Sequence, residues 1–400
     1  MNITGIITEY NPFHLGHELH LNSAKKDTKC DGVICIMSGN FMQRGMPGLI
    51  DKWNRAKIAV ANGVDLVIEL PLIYSISSAE GFAYGAVKIL NETGVVNNLY
   101  FGSEHGDVKD LEEIASIIVN ETDEFKNLIK LELNKGLPFH TARVNALKNI
   151  LHNENLENIL SSSNNILGIE YIKAIKRLNS NITPYTLKRL GASYNEAELK
   201  TKFPSATSIR ATLKETGNID VLKDSMPLNT YKLINSLLSD NYSTVYPEDM
   251  FSFLKYKIIT EGDKLKNLHE VSEGIDNKII KEIVNSNSLD ELILKVKSKR
   301  YTYTRISRIL ASFYIGLENY NLDEVKKSSH YIRPLAFNET GSKILKEIKN
   351  KEQIEIITKL PKNINNKILE LDLLGTKAYS ILNNKISPYE DYLKSPIYLK

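Results

Sequence analysis

The stretch ITGIITEYNPFHLGH, residues 3–17, decides how this 400-residue chain folds. Ile3–Thr8 is a short apolar run, Pro12 and Gly16 punctuate a turn, and the residues from His17 to about Lys26 read as a helix. Three similar runs follow: Val33–Met37, Leu66–Leu70 (stopped by Pro71) and Asn98–Gly102. Helical patterns at Lys52–Ala61 and Ala79–Leu90 separate them, with a Gly-rich loop over Ser38–Pro47. Runs that are apolar throughout, rather than alternating, are strands buried on both faces of a parallel sheet. Their alternation with helices predicts a doubly wound, Rossmann-like α/β domain.

Val108 to about Ile175 reads as mainly helical, followed by a last strand over Ile182–Leu190 and a helix opening at SATSIRATLKETG, residues 205–217. Beyond Met226, Lys/Glu/Leu/Ile helical patterns dominate, at Lys255–Lys266, Asp290–Lys299, Arg305–Leu317 and Ser342–Leu360. The expected division is an α/β domain over 1–225 and a mostly α-helical C-terminal domain over 226–400.

Apolar residues make up 42% and charged residues 25%, ordinary globular composition that excludes wholesale disorder. The charge is nearly balanced, 51 basic against 48 acidic side chains. Residues 221–400 hold 28 of the basic and 23 of the acidic ones, a mild bias that would place a polyanionic partner on the C-terminal part. No run of ~18 uncharged apolar residues predicts a membrane span. The N-terminal residues lack the basic and apolar regions of a secretory signal. Cys30 and Cys35 suit neither a disulfide framework nor a zinc site, so a reducing cytoplasm is the expected setting. Nothing in the sequence fixes an oligomeric state.

The chemistry centres on His14 and His17, one helical turn apart. A parallel sheet presents ligands at the carboxyl ends of its strands, and the following helix offers free N–H groups to an anion. Two imidazoles there can donate to phosphate oxygens as charge builds on an α-phosphoryl group, and Gly16 lets the backbone approach closely. A lone H-x-G-H is more often a cap or a satisfied core histidine; its place after the first strand favours the functional reading. A second anion clamp is expected at Ser205–Arg210, where Ser208 and Arg210 open a helix. Its bland alternative is an ordinary Ser/Thr cap. Together His14, His17 and Arg210 form the expected catalytic set.

These two segments resemble the nucleotidyltransferase superfamily, whose adenylyl-transferring members carry HxGH after the first strand. Thr8–His17, Met37–Gly45, Asp65–Pro71, Phe101–Glu104, Ser163–Tyr171 and Ala206–Arg210 are further similar to the blocks of the bacterial tRNA(Met) cytidine acetate ligases. Ser163 departs from the Pro that precedes the Asn pair in that family. The resemblance implies a ligase that activates acetate with ATP, with Mg²⁺ carried on the phosphates. The acetyl group then passes to N4 of the wobble cytidine of elongator tRNA(Met). It implies an ATP site formed by Ile7, Thr8, Glu9, Tyr10, Asn11, Pro12, Phe13, His14, Leu15, Gly16, His17, Glu18, Leu19 and His20, with Gly102, Asn164 and Arg189. Asn164 and Asn165 could exchange roles.

Arg44 and Lys52 are candidates for phosphate or tRNA contact. The run Lys295–Arg308, containing Lys299, Arg300, Arg305 and Arg308 interleaved with Tyr301 and Tyr303, suits phosphate neutralisation and base stacking. Its alternatives are a solvated charged face and core tyrosines. Two other functions remain open from the residues alone: an adenylyltransferase for a small cofactor precursor, and a non-catalytic RNA-binding protein with a relic ATP site.

Overall fold

The computed structural model describes residues 1–153, 155–189 and 204–400, without the side chain of His140. Strand β1 (Ile3–Thr8) lies inside a seven-stranded sheet. Parallel to it run β2 (Gly32–Ser38) and β3 (Leu66–Leu70) on one side, and β4 (Val96–Ser103) and β5 (Thr183–Lys188) on the other. Every residue of β2 and β3 is buried, which is why these segments read as unbroken apolar runs. The expected strand over Ile182–Leu190 is shorter than its pattern, and Leu190 lies outside the described residues. Helices α1 (Leu15–Thr28), α2 (Lys52–Ala61) and α3 (Ala79–Glu92) make the first three crossovers, while α4 (Ser163–Arg177) leads into β5. After β3 the chain returns past β1 to form β4. That reversal opens a crevice at the carboxyl ends of β1 and β4, where such sheets bind ligands.

Helix α5 (Ala206–Thr216) precedes a mostly helical region that includes α6 (Phe251–Glu261), α7 (Ile275–Ile283), α8 (Leu289–Val296) and α9 (Tyr303–Ile315). The expected division at 225/226 does not separate sheet from helices. β6 (Pro334–Phe337) pairs antiparallel with β3, and β7 (Ile397–Tyr398) pairs parallel with β6. The C-terminal segment thereby satisfies the backbone groups of β3, which would otherwise form a buried, unpaired edge. The helix expected over Ser342–Leu360 is α10 (Glu339–Lys351), ended by Glu352 in the left-handed region at φ 53°. Gly341 lets α10 press on the sheet: a Cβ there would lie 2.0 Å from the Asp65 carbonyl oxygen. Among the described residues no helix is long and apolar enough to cross a membrane.

Candidate active site

His14 is the N-cap of α1, and its placement follows from the local chain. Its Nδ1 accepts the Gly16 N–H at 3.0 Å, and its own N–H points to His17 Nδ1 at 3.3 Å. The two rings stack with centroids 3.8 Å apart. Both Nδ1 atoms are thus occupied as acceptors, which leaves each Nε2–H as a donor for an anion. A Cβ on Gly16 would lie 2.9 Å from His14 Cε1, so it is the imidazole that needs this glycine. Tyr10 and Phe13 are core residues, and Tyr10 sets its ring edge against His17 at 4.9 Å. Leu15, Glu18, Leu19 and His20 are half-buried around the first turns of α1.

Burial holds these imidazoles neutral. The His14 pKa is pushed down to about 3 by desolvation, then by Arg189 and Arg210. Desolvation and Arg189 take His20 to about 4. His17 is lowered well below its usual value by burial and then by its histidine neighbours and Arg189. The fold therefore brings two guanidinium groups, one after β5 and one on α5, close enough to act on a histidine after β1.

Arg189 reaches the site along Gly102: a Cβ at Gly102 would meet its Cγ at 3.4 Å, and its N–H donates to Ser103 O at 2.9 Å. Arg210 Nη1 donates to Asn11 O at 2.6 Å, tying α5 to the turn after β1. Ser208 takes a different role from the one expected. It is wholly buried, its hydroxyl donates to Ser205 O, and Ser205 caps α5, so the cap alternative describes both serines. The Asn pair divides its work. Asn165 is buried and accepts the His105 N–H at 3.0 Å; half-buried Asn164 donates through Nδ2 to Glu104 at 2.6 Å.

Three residues not singled out from the sequence build the surroundings. The Glu104 carboxylate accepts both Asn164 N and Asn165 N, capping α4 beside the crevice. Arg55 is 1% exposed and donates to the carbonyls of Glu9, Ser38, Gly39 and Ile50, pinning the ends of β1 and β2 together. Gln43, in a small hairpin of Phe41–Met42 with Met46–Pro47, donates its N–H to Glu9 at 2.7 Å. The only sequence cue for Arg55 is a cation set among the apolar residues of α2.

Lys52 is a buried ion-pair residue instead of the expected phosphate or tRNA contact. Its side chain is 1% exposed and contacts Glu69 at 2.7 Å and Asp391 at 3.0 Å, with Arg333 completing the cluster at 3.1 Å from Asp391. It locks the C-terminal segment to the sheet and has no path to phosphate or RNA. Arg44 is half-buried in the hairpin between Met42 and Met46. Lys299 and Arg300 are exposed, Arg300 pairing with Glu273 at 2.7 Å. Arg305 lies 4.3 Å over the ring of buried Tyr301, and Arg308 pairs with Glu270 at 3.0 Å.

Residues 1–392 match the family model described as HIGH Nucleotidyl Transferase. The chain is 53% identical to the tRNA(Met) cytidine acetate ligase of Clostridium novyi (strain NT), over the full length of both. It is similar to the crystal structure of Thermotoga maritima TmcAL bound with alpha-thio ATP, with a TM-score of 0.88, 33% identity and all of both chains covered. For the apo form of that protein the TM-score is 0.90 at 34% identity, again over both whole chains. The chain belongs to the HIGH nucleotidyltransferase family and, within it, to the tRNA(Met) cytidine acetate ligases.

Proposed function

We propose that this protein activates acetate with ATP and transfers the acetyl group to N4 of the wobble cytidine of elongator tRNA(Met). The observation that carries the reading is that Arg210 is bonded to Asn11 O and Arg189 lies beside Gly102, at the ends of β1 and β4 where His14 caps α1 and stacks on His17. Neutral imidazoles serve as fixed N–H donors, and the two arginines supply the positive charge. That division suits an α-phosphoryl group that gains charge during in-line attack.

An acetate oxygen attacks the α-phosphorus, the bond to the bridging oxygen breaks, and pyrophosphate leaves towards the guanidinium groups. The cytidine amine then attacks the acetyl carbonyl, loses a proton, and releases AMP that keeps the acetate-derived oxygen. Among the described residues no group of three or more His, Cys, Asp or Glu side chains is placed to hold a metal ion. Mg²⁺ would come with the ATP phosphates and neutralise part of their charge. Lys299, Arg300, Arg305 and Arg308 would meet the tRNA, in the cytoplasm where it is found.

The test incubates purified protein with ATP, labelled acetate and elongator tRNA(Met). Label recovered as N4-acetylcytidine supports the reading. Adenylylation of a small acceptor, or RNA binding with no product, would replace it with one of the other two functions.

A further inference from the structure

A cavity of about 750 Å³ lies between the α3 side of the sheet layer and the helices around α9. It is distinct from the crevice that holds His14 and His17, and neither histidine lines it. Its size falls in the ~300–1,000 Å³ range of pockets that enclose a nucleotide-sized ligand. Apolar side chains, half-buried Tyr84 and the almost wholly buried Tyr74 form part of its wall. Lys88, Arg177, Arg305, Arg308 and Lys326 also line it, against the carboxylates of Glu80 and Glu270. Four of these cations also lie within 4 Å of a carboxylate, Lys88 of Glu92, Arg177 of Glu80, Arg308 of Glu270 and Lys326 of Asp323, so an anionic ligand would exchange with existing ion pairs, and the aromatic, apolar wall calls for a planar one.

Two features show a built wall. Glu270 accepts Arg308 Nε at 3.0 Å through its carboxylate and Arg305 Nη2 at 2.9 Å through its carbonyl, so one residue orients both guanidinium groups. On the opposite wall the Tyr74 hydroxyl is fixed 2.6 Å from His330 Nε2. The cavity also shares a structural element with the nucleotide site. The carbonyl of Ser77, a lining residue, accepts Gln43 Nε2 at 2.9 Å, and Gln43 N–H donates to Glu9 in the turn after β1. The hairpin seats on α9 through Gly45 (φ 73°), whose added Cβ would lie 2.4 Å from Arg308 N.

We propose that this cavity receives one unstacked nucleotide of the single-stranded anticodon loop of the acceptor tRNA. Its base lies against the tyrosine and apolar wall, and its phosphate lies against Arg305, Arg308 and Lys326. Single-stranded RNA is recognised in this way, by splayed bases on aromatic side chains beside cations. The inference rests on the tRNA reading given above and adds a location for part of the substrate.

The test measures binding of a fluorescein-labelled anticodon stem-loop of elongator tRNA(Met) at fixed salt, with thermal melting as a check on folding. Ser312→Trp fills the cavity from α9, and Lys326→Glu reverses a charge on its wall. Each is expected to weaken binding about tenfold or more, as loss of a stacked base or phosphate contact does. Lys343→Glu, on the exposed face of α10, should stay within about twofold of wild type, as befits a charge outside the binding surface. If wild type binds and acetylates RNA while Ser312→Trp and Lys326→Glu both bind as wild type does, the cavity assignment falls and the tRNA reading stands. If wild type neither binds the stem-loop nor acetylates tRNA, both fall together.

Discussion

Replacing Gly16 by Ala should separate catalysis from stability, because the added methyl group meets the one ring the site depends on. A Cβ at residue 16 would lie 2.9 Å from His14 Cε1 and 3.1 Å from Nδ1. The ring has no room to retreat, since His17 is already stacked at 3.8 Å between centroids. It must rotate away, breaking the 3.0 Å bond from Gly16 N–H that caps α1. Loss of a helix cap costs about 1 kcal/mol, and exchanging Gly for Ala inside a helix returns up to about 1 kcal/mol, so the melting temperature should hardly move. Loss of one preorganised donor to the transition state costs about 2.7–4 kcal/mol, or roughly 10²–10³ in rate. Acetate-dependent ATP–pyrophosphate exchange measures the rate directly. A Gly16→Ala protein that exchanges at about the wild-type rate would refute the role given to His14.

The remaining expectations concern pH, the buried ion cluster and the exposed cations. His14 titrates at about 3 and His20 at about 4 in the folded chain, with His17 also lowered, against a usual 6.5. Below pH 6.5 the unfolded chain binds protons that the folded chain refuses. Stability should therefore be full above pH 6.5 and decline as pH falls towards 4, seen as a falling guanidinium midpoint; a flat or rising midpoint would contradict this. Lys52→Met leaves Glu69 and Asp391 sharing Arg333 and should cost about 3–5 kcal/mol in chemical denaturation, while the folded fraction binds tRNA as wild type does. Combined Lys299→Ala and Arg300→Ala substitution should weaken tRNA binding and flatten its log–log salt dependence by roughly one to two. An equal fall in pyrophosphate exchange would show the segment to be structural.

The central strands were readable because burial on both faces leaves a continuous apolar signature, and the helix over Lys52–Ala61 matches its pattern residue for residue. The two C-terminal strands that extend the sheet beyond β3 were not readable: Pro334–Phe337 and Ile397–Tyr398 are too short for any period to register. Helical spacing also ran through the end of α10, because only the backbone conformation of Glu352 marks the stop. The histidine motif announced itself by its position after β1. Lys52 misled because a lysine beyond a loop reads as solvent-exposed. Its partner Asp391 stands 339 residues away, in a segment that only the folded sheet brings back. Arg305 and Arg308, three residues apart, do reach one cavity, but its other wall comes from α3, which spacing along a single helix cannot reveal.

Isotope tracing tests the central chemistry most directly. The protein is supplied with ATP, tRNA(Met) and acetate carrying ¹⁸O in both carboxylate oxygens, and the released AMP is analysed by mass spectrometry. Attack of acetate on the α-phosphorus at the His14–His17–Arg210 site transfers one ¹⁸O into every AMP formed in a productive turnover. Unlabelled AMP, or ¹⁸O recovered instead in inorganic phosphate alongside ADP, would contradict the account.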